Sequence, residues 1–377
     1  MIYVHFPFCR TFCTYCDFYS VTEKGKEKEY NEALLGEISA RRSFLDLMGS
    51  SPCDVKTFYV GGGTPSLASD EFFEIMASLA SRYDVVEFTV EVNPDDVTPR
   101  LVSLLRECGV NRVSMGVQSF NDVSLRWMNR RHDSAGAIRA YRMLREGGFD
   151  NISLDLIFGY DPAPSGTSDE AELLSLWRED LTKIISLEPE HISAYQMGIE
   201  AESLLGCRAH RGEYVEPTDE LCAAQYEMLQ QMLEYAGYCQ YEVSNFARKG
   251  FRSKHNSAYW ERVPYIGLGP GAHSFDGRCR MWNLSDIERY IAYYHYNDHS
   301  LMPFESEELD GEDIRVETIM LGLRRCEGME LSVLNELATD RKTISRLCSC
   351  GALAIEGDRV FIPKERLFVS DSVIREL

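Results

Sequence analysis

Cys9, Cys13 and Cys16 stand on one short segment in the spacing Cys-x3-Cys-x2-Cys. Three thiolates so placed can hold three irons of an iron–sulfur cubane and leave the fourth iron without a protein ligand. Such an open iron can be chelated by the amine and carboxylate of a small molecule, which brings redox chemistry to that molecule. The competing reading is structural zinc, which needs four ligands and usually draws them from two close pairs. Asp17 and His5 are poor fourth ligands, and Cys348 and Cys350 are expected in another domain. The spacing, placed just after a predicted strand, favours iron and sulfur over zinc. The other nine cysteines are expected to be small buried hydrophobes, because nothing suggests export or a disulfide framework.

Further polar and glycine clusters follow at intervals: Gly61-Gly62-Gly63-Thr64, Glu91 with Asn93-Pro94, Gln118, Arg130 and Asp155. Taken singly, each has a plain explanation as a turn or a cap. Their order along the chain says more, because they fall on or after successive predicted strands. Strands are expected at 2–6, 56–60, 87–92, 112–116, 152–158 and 191–195. Helices are expected at 26–44, 69–83, 98–108, 134–146 and 170–187. This alternation means right-handed βαβ units around a parallel sheet, with all strand ends on one rim. Six units predict an α/β fold built on an incomplete parallel (β/α) barrel, open on one side to admit a large ligand.

A loop is expected at 161–168, a helix at 217–235 and a short strand at 240–243. Beyond about residue 274 the pattern changes. Helices are expected at 307–323, 331–337 and 343–350, then a hairpin of 352–355 and 359–362. This reads as a small C-terminal α+β domain of winged-helix type. The expected division is 1–273 for the barrel and its connecting segment, and 274–377 for the C-terminal domain.

Composition narrows the function. The 377 residues are 44% hydrophobic and 26% charged, with a formal net charge of -21. A polyanion repels phosphate backbones, so no nucleic-acid partner is expected and the winged domain is expected to pack on the barrel. No apolar run reaches the ~18 residues of a spanning helix. The N-terminus lacks the basic start of a signal peptide. The chain is expected to be cytoplasmic, with membrane contact limited to peripheral docking.

Tyr3–Cys9, Cys13 and Tyr15-Cys16 resemble the opening of the oxygen-independent coproporphyrinogen oxidase family of radical-SAM proteins. The likeness continues in order through Gly61–Pro65, Glu91–Pro94, Ser114–Phe120 and Asp155–Ile157, and ends at Phe368–Val373. Within that family the chain looks more like the haem-chaperone branch than the oxidases. Phe18 stands where the oxidases carry a further cysteine, and no longer segment precedes the triplet. His255-Asn256-Ser257-Ala258-Tyr259-Trp260 matches a motif of that branch, and Glu242–Ala247 just upstream also resembles it.

The resemblance implies a [4Fe–4S] cluster on Cys9, Cys13 and Cys16, with S-adenosylmethionine beside it. It implies cofactor contacts from Tyr3, Tyr15, Gly62, Gly63, Thr64, Glu91, Gln118, Arg130 and Asp155. Glycines let the backbone approach the ligand closely, Glu91 suits a ribose diol, and Arg130 can pair with a carboxylate. The resemblance further implies haem as cargo, with His255, Tyr259 and Trp260 as candidate contacts. Haem-accepting apo-proteins, among them membrane-bound respiratory enzymes, would be partners, and a flavodoxin or ferredoxin the electron donor. No catalytic residue is assigned. The alternative is radical oxidative decarboxylation of coproporphyrinogen III, whose motif set is present up to Cys16. One departure is Gly159-Tyr160-Asp161-Pro162, where relatives often show Gly-Leu-Pro.

Overall fold

A computed structural model of the chain describes residues 1–23, 25–42, 55–163, 168–300, 302–338 and 341–377. Its main sheet has nine strands: β1 (Ile2–Phe6), β2 (Thr57–Gly62), β3 (Glu87–Val92), β4 (Arg112–Gln118), β5 (Ile152–Phe158), β6 (His191–Gln196), β7 (Cys239–Gln240), β8 (Asn245–Ala247) and β9 (Ile266–Leu268). The order across the sheet is β7-β8-β6-β5-β4-β3-β2-β1-β9. β1 to β6 run parallel, and β9 joins β1 in parallel from the other side. β8 and β7 turn antiparallel. The order does not return on itself, so the barrel is incomplete, as the alternation predicts.

The strand sequences explain how the sheet serves two surfaces. In β4, Val113, Met115 and Val117 are fully buried in the apolar core, while Arg112, Ser114, Gly116 and Gln118 face a cavity in the lumen. β3 alternates likewise, with Phe88, Val90 and Val92 in the core and Glu91 on the cavity. Side chains alternate across a strand with period two, so one strand can anchor helices on one face and present polar groups on the other.

Helices cover the outer face. Glu27–Ala40, Asp70–Ala80, Pro99–Glu107, Ser134–Glu146 and Glu170–Leu187 lie near their predicted positions. Ser69, Thr98 and Asp133 cap three of them by accepting a bond from a first-turn backbone N–H. Residues 43 and 44 of the expected first helix, and 164–167 of the expected loop, lie outside the described residues. Among the described residues no helix is long and apolar enough to cross a membrane.

Several expectations need correction. β2 and β4 run past their expected ends at 60 and 116, to Gly62 and Gln118. The strand expected at 240–243 is the pair β7 and β8, joined by a tight turn. The helix expected from 307 begins at Gly311, where Asp310 and Asp313 form a reciprocal capping box. Phe304–Glu308 is instead β12, the edge of an antiparallel sheet with β10 (His273–Phe275) and β11 (Cys279–Asn283). The C-terminal hairpin, β14 (Ala354–Glu356) and β15 (Arg359–Phe361), gains a third strand, β13 (Met329–Glu330). Of the eight described cysteines outside the triplet only Cys222 is buried, and Cys207, Cys239 and Cys350 are exposed. Cys207 lies on a short surface helix, Cys239 on the edge strand β7 and Cys350 just past the helix Arg341–Ser349, all outside the packed core.

Candidate active site at the open end of the barrel

The C-terminal ends of the strands surround a cavity of about 430 Å³. Cys9, Cys13 and Cys16 form one wall, on the loop that follows β1. Tyr15, Gly62, Gly63, Thr64, Glu91, Gln118, Arg130 and Asp155 complete much of the rest. The structure therefore brings together eleven of the twelve expected cluster and cofactor residues. Tyr3 is the exception. It stands behind the wall, stacked on Tyr59 at 6.1 Å between ring centroids and hydrogen-bonded to His5.

The cysteine loop is held close to β2. Gly63 donates its N–H to Phe6 O at 2.8 Å, and Cys9 donates its N–H to Val21 O at 2.9 Å. A Cβ on Gly63 would stand 2.8 Å from Phe8 O and 3.1 Å from Cys9 Sγ. Gly62 has φ +108°, and a Cβ there would press into the His5 ring at 2.7 Å. Only glycine lets β2 pass this close to the cysteine loop. Thr64 Oγ1 lies 3.2 Å from Cys9 Sγ, and Arg130 Nη1 donates toward Cys13 Sγ at 3.4 Å.

Among the described residues, no group of three His, Cys, Asp or Glu side chains converges on a single ion. A lone zinc would need its thiolates within bonding distance of one centre, about 2.3 Å each. The three thiols border one cavity, where each could bind one iron of a multi-iron cluster. Burial raises the thiol pKa of Cys9 and pushes that of Cys16 up to about 12. A cationic metal centre is the natural counter-charge for thiolates in such a place.

Opposite the thiols sits a network of acids. Tyr59 Oη donates to Glu91 Oε1 at 2.7 Å and Gly62 N donates to Oε2 at 3.2 Å. Burial, with Asp155 nearby, pushes the Glu91 carboxyl up to about 7 against these bonds. Asp155 lies within 3.3 Å of Ser114 Oγ and Ser153 Oγ, and burial raises its pKa too. Arg130 Nη2 donates to Asn93 Oδ1 and to Gly116 O, each at 2.7 Å. Gln118 adopts φ +68° where the register between β4 and β5 slips, which turns it onto the cavity.

The haem candidates behave differently. His255, Tyr259 and Trp260 belong to the helix Lys254–Trp260. His255 is 1% exposed and borders neither cavity. Its Nδ1 is 2.8 Å from Thr57 Oγ1, and its Nε2 is 3.2 Å from Tyr259 Oη. Both nitrogens are engaged, so in this conformation His255 offers no lone pair to iron. Tyr259 and Trp260 do border open space, a second cavity of about 430 Å³ with Glu242, Arg324 and Phe368. Tyr195 and Asn256 line both cavities, which are therefore neighbours. His273, at the end of the glycine-rich loop, is exposed and stacked on Trp282.

The sequence reading missed Tyr59, Asn93, Arg112, Ser114, Tyr195 and Asn256 as cavity residues. A signal existed for some. Arg112 and Ser114 stand four and two residues before Gly116, so strand periodicity places them on its face.

The Radical SAM superfamily model matches residues 3–163. A protein of Bacillus subtilis (strain 168) named heme chaperone HemW is 34% identical over 339 residues, covering 87% of this chain and 84% of that one. Its namesake in Mycobacterium tuberculosis (strain H37Rv) is 31% identical over 388 aligned positions, covering 100% and 94%. The solved structure of coproporphyrinogen III oxidase (HemN) from Escherichia coli, a radical SAM enzyme, superposes with a TM-score of 0.79 at 21% identity. It covers 100% of this chain and 89% of that one.

Proposed function

The chain belongs to the radical SAM superfamily and, within it, to the family of proteins named heme chaperone HemW, and from that premise we propose that it binds haem and passes it to haem-requiring apo-proteins. Cys9, Cys13 and Cys16 would hold a [4Fe–4S] cluster, and S-adenosylmethionine would lie across the cavity between the thiols and Glu91. When bound, that pair supplies reductive radical chemistry. The residues of this chain do the positioning. Glu91, its orientation fixed by Tyr59 and Gly62, would accept from the ribose hydroxyls, and Gly63 lets the chain after β2 run close enough to Cys9 to bring the methionine end beside the thiols.

The observation that carries the haem reading is the pair of adjoining cavities. One holds the cluster residues, and the other is walled by Tyr259, Trp260 and Phe368. Its rings offer a large flat ligand surfaces to pack on, beside a polar lining that includes Glu242, Arg324 and Asp371. The ligand would then sit directly beside the cofactors. Delivery to respiratory haem enzymes, reduction by a flavodoxin or ferredoxin, and work in the cytoplasm or at the membrane face belong to the same proposal.

The test is a haem titration of anaerobically reconstituted protein, followed in the Soret band. Saturable binding at micromolar haem, or tighter, is expected. No binding by protein with an intact cluster would overturn the proposal, and anaerobic assay with coproporphyrinogen III would then test the oxidase alternative.

A further inference from the structure

Arg112 is one of the largest fully buried side chains in the molecule, 1% exposed, and it lines the lumen cavity. Its Nε has no hydrogen-bond partner, and the guanidinium makes no ion pair with any described residue. The two lumen acids feel its charge, which favours their ionised forms against burial, but their hydrogen bonds go elsewhere. Glu91 is held by Tyr59 and Gly62, and Asp155 by Ser114 and Ser153. Directly opposite Arg112 in the β3–β4 register stands Thr89, fully buried, whose Oγ1 also lacks a partner. Two neighbouring polar groups therefore keep unspent donors at one spot. An unpaired buried guanidinium is costly, and removing that cost takes an anion.

We propose that Arg112 is a carboxylate-binding residue on the lumen floor, and that it receives a propionate of the haem cargo. The proposal rests on the haem reading above.

Three features select a carboxylate of the cargo. First, the planar fork of a guanidinium matches a carboxylate in two parallel bonds. Second, Glu91 and Asp155 on the same walls would repel a doubly charged phosphate more than a single carboxylate. Third, depth argues against the carboxylate of the cofactor. Glu91 pairs in register with Ser114, and Arg112 lies two residues further down β4, about 6–7 Å below the rim. The cofactor's own amino-acid end belongs at the rim, beside the thiols. Haem, by contrast, combines a flat apolar ring with carboxylate arms. The aromatic cavity and the lumen adjoin at Tyr195 and Asn256, which would give ring and arm separate places.

The experiment compares haem with haem dimethyl ester, whose propionates are blocked. Both are titrated into full-length, cluster-reconstituted wild type, Arg112→Gln and Arg112→Lys. Wild type is expected to bind haem roughly tenfold or more tightly than the ester, as expected for a buried charge-assisted pair. Arg112→Gln should lower haem affinity to the level of the ester and leave ester affinity within about twofold. Equal wild-type affinity for haem and ester would overturn the proposal while leaving the haem reading intact. So would a preference that survives in Arg112→Gln. Wild type that binds neither ligand overturns both. If Arg112→Gln cannot hold its cluster, Arg112→Lys decides. A reduced preference for haem supports the proposal, and an unchanged one overturns it.

Discussion

Thr57 Oγ1 and His255 Nδ1 lie 2.8 Å apart, tying the start of β2 to a helix 198 residues later. The same helix is anchored by Glu87 of β3, whose carboxylate accepts from the backbone N–H groups of Lys254 and His255, each at 2.9 Å. His255 also stacks on Tyr59, which in turn holds Glu91. Its position thus fixes both the second cavity's helix and one wall of the first.

His255→Ala is therefore expected to destabilise the fold by roughly 2–4 kcal/mol, because it strands a buried hydroxyl and opens a cavity. Haem binding at low temperature is expected to survive. Denaturant melts and a Soret titration on the same preparation check both halves. Loss of haem binding with unchanged stability would instead make His255 a direct ligand.

Burial holds His255 down at about 3, and His5 and His132 at about 4. In the unfolded chain these rings protonate near the ordinary 6.5. Their native pKa values are lowered, so stability is lost as pH falls from about 6.5 toward 4. His255→Gln should flatten that slope by about one proton, measured as the change of unfolding free energy with pH.

Glu91 carries the opposite sign. Its native pKa, about 7, is raised from 4.5, so the unloaded fold loses stability as pH climbs through that window. Glu91→Gln removes this loss. The variant's melting temperature should match wild type near pH 4.5 and exceed it by a margin that grows to about pH 7. A difference independent of pH would show that Glu91 is not protonated in the folded state.

Gly63→Ala is expected to abolish cluster incorporation. The new Cβ would meet backbone atoms at 2.8 and 3.0 Å and Cys9 Sγ at 3.1 Å. Backbone cannot swing aside as a flexible side chain can, so the cysteine loop must move. Iron and sulfide content after anaerobic reconstitution is the measurement. A full complement of both would mean that the loop yields at little cost.

Much of this site is legible in the sequence because parallel sheets put their chemistry at strand ends. Gly62 and Gln118 close their strands and Glu91 stands one residue from an end, whereas Asp155 lies in the middle of β5 and is legible through the family resemblance. Arg112 and Thr89 escaped because Arg112 opens β4 and Thr89 lies inside β3, both away from the C-terminal strand ends, in positions where an isolated polar residue looks the same whether it is paired or not. β8 and β9 escaped for another reason. Each is three residues long, and their partners β6 and β1 are distant in sequence. Short strands carry too little pattern to be read locally and owe their pairing to tertiary contacts.

Gln118 shows how a distant acid shapes the site. It is a non-glycine residue at φ +68°, a conformation that needs support from its surroundings. The support follows at once in the chain: Ser119 Oγ donates to Asp180 Oδ2 at 2.6 Å, and Phe120 N donates to Oδ1 at 2.7 Å. Asp180 sits on the helix Glu170–Leu187, 1% exposed, and burial pushes its carboxyl up to about 6. Asp180→Asn keeps the shape but loses the charge and one acceptor. It should weaken S-adenosylmethionine binding by roughly tenfold, through a Gln118 no longer held to the cavity. Haem affinity should change little, because Asp180 lines neither cavity. Calorimetric titration of the cofactor against a Soret titration of haem separates the two effects. Equal losses in both would reveal a general loosening of the fold, and no loss in either would mean that β4 holds Gln118 without help.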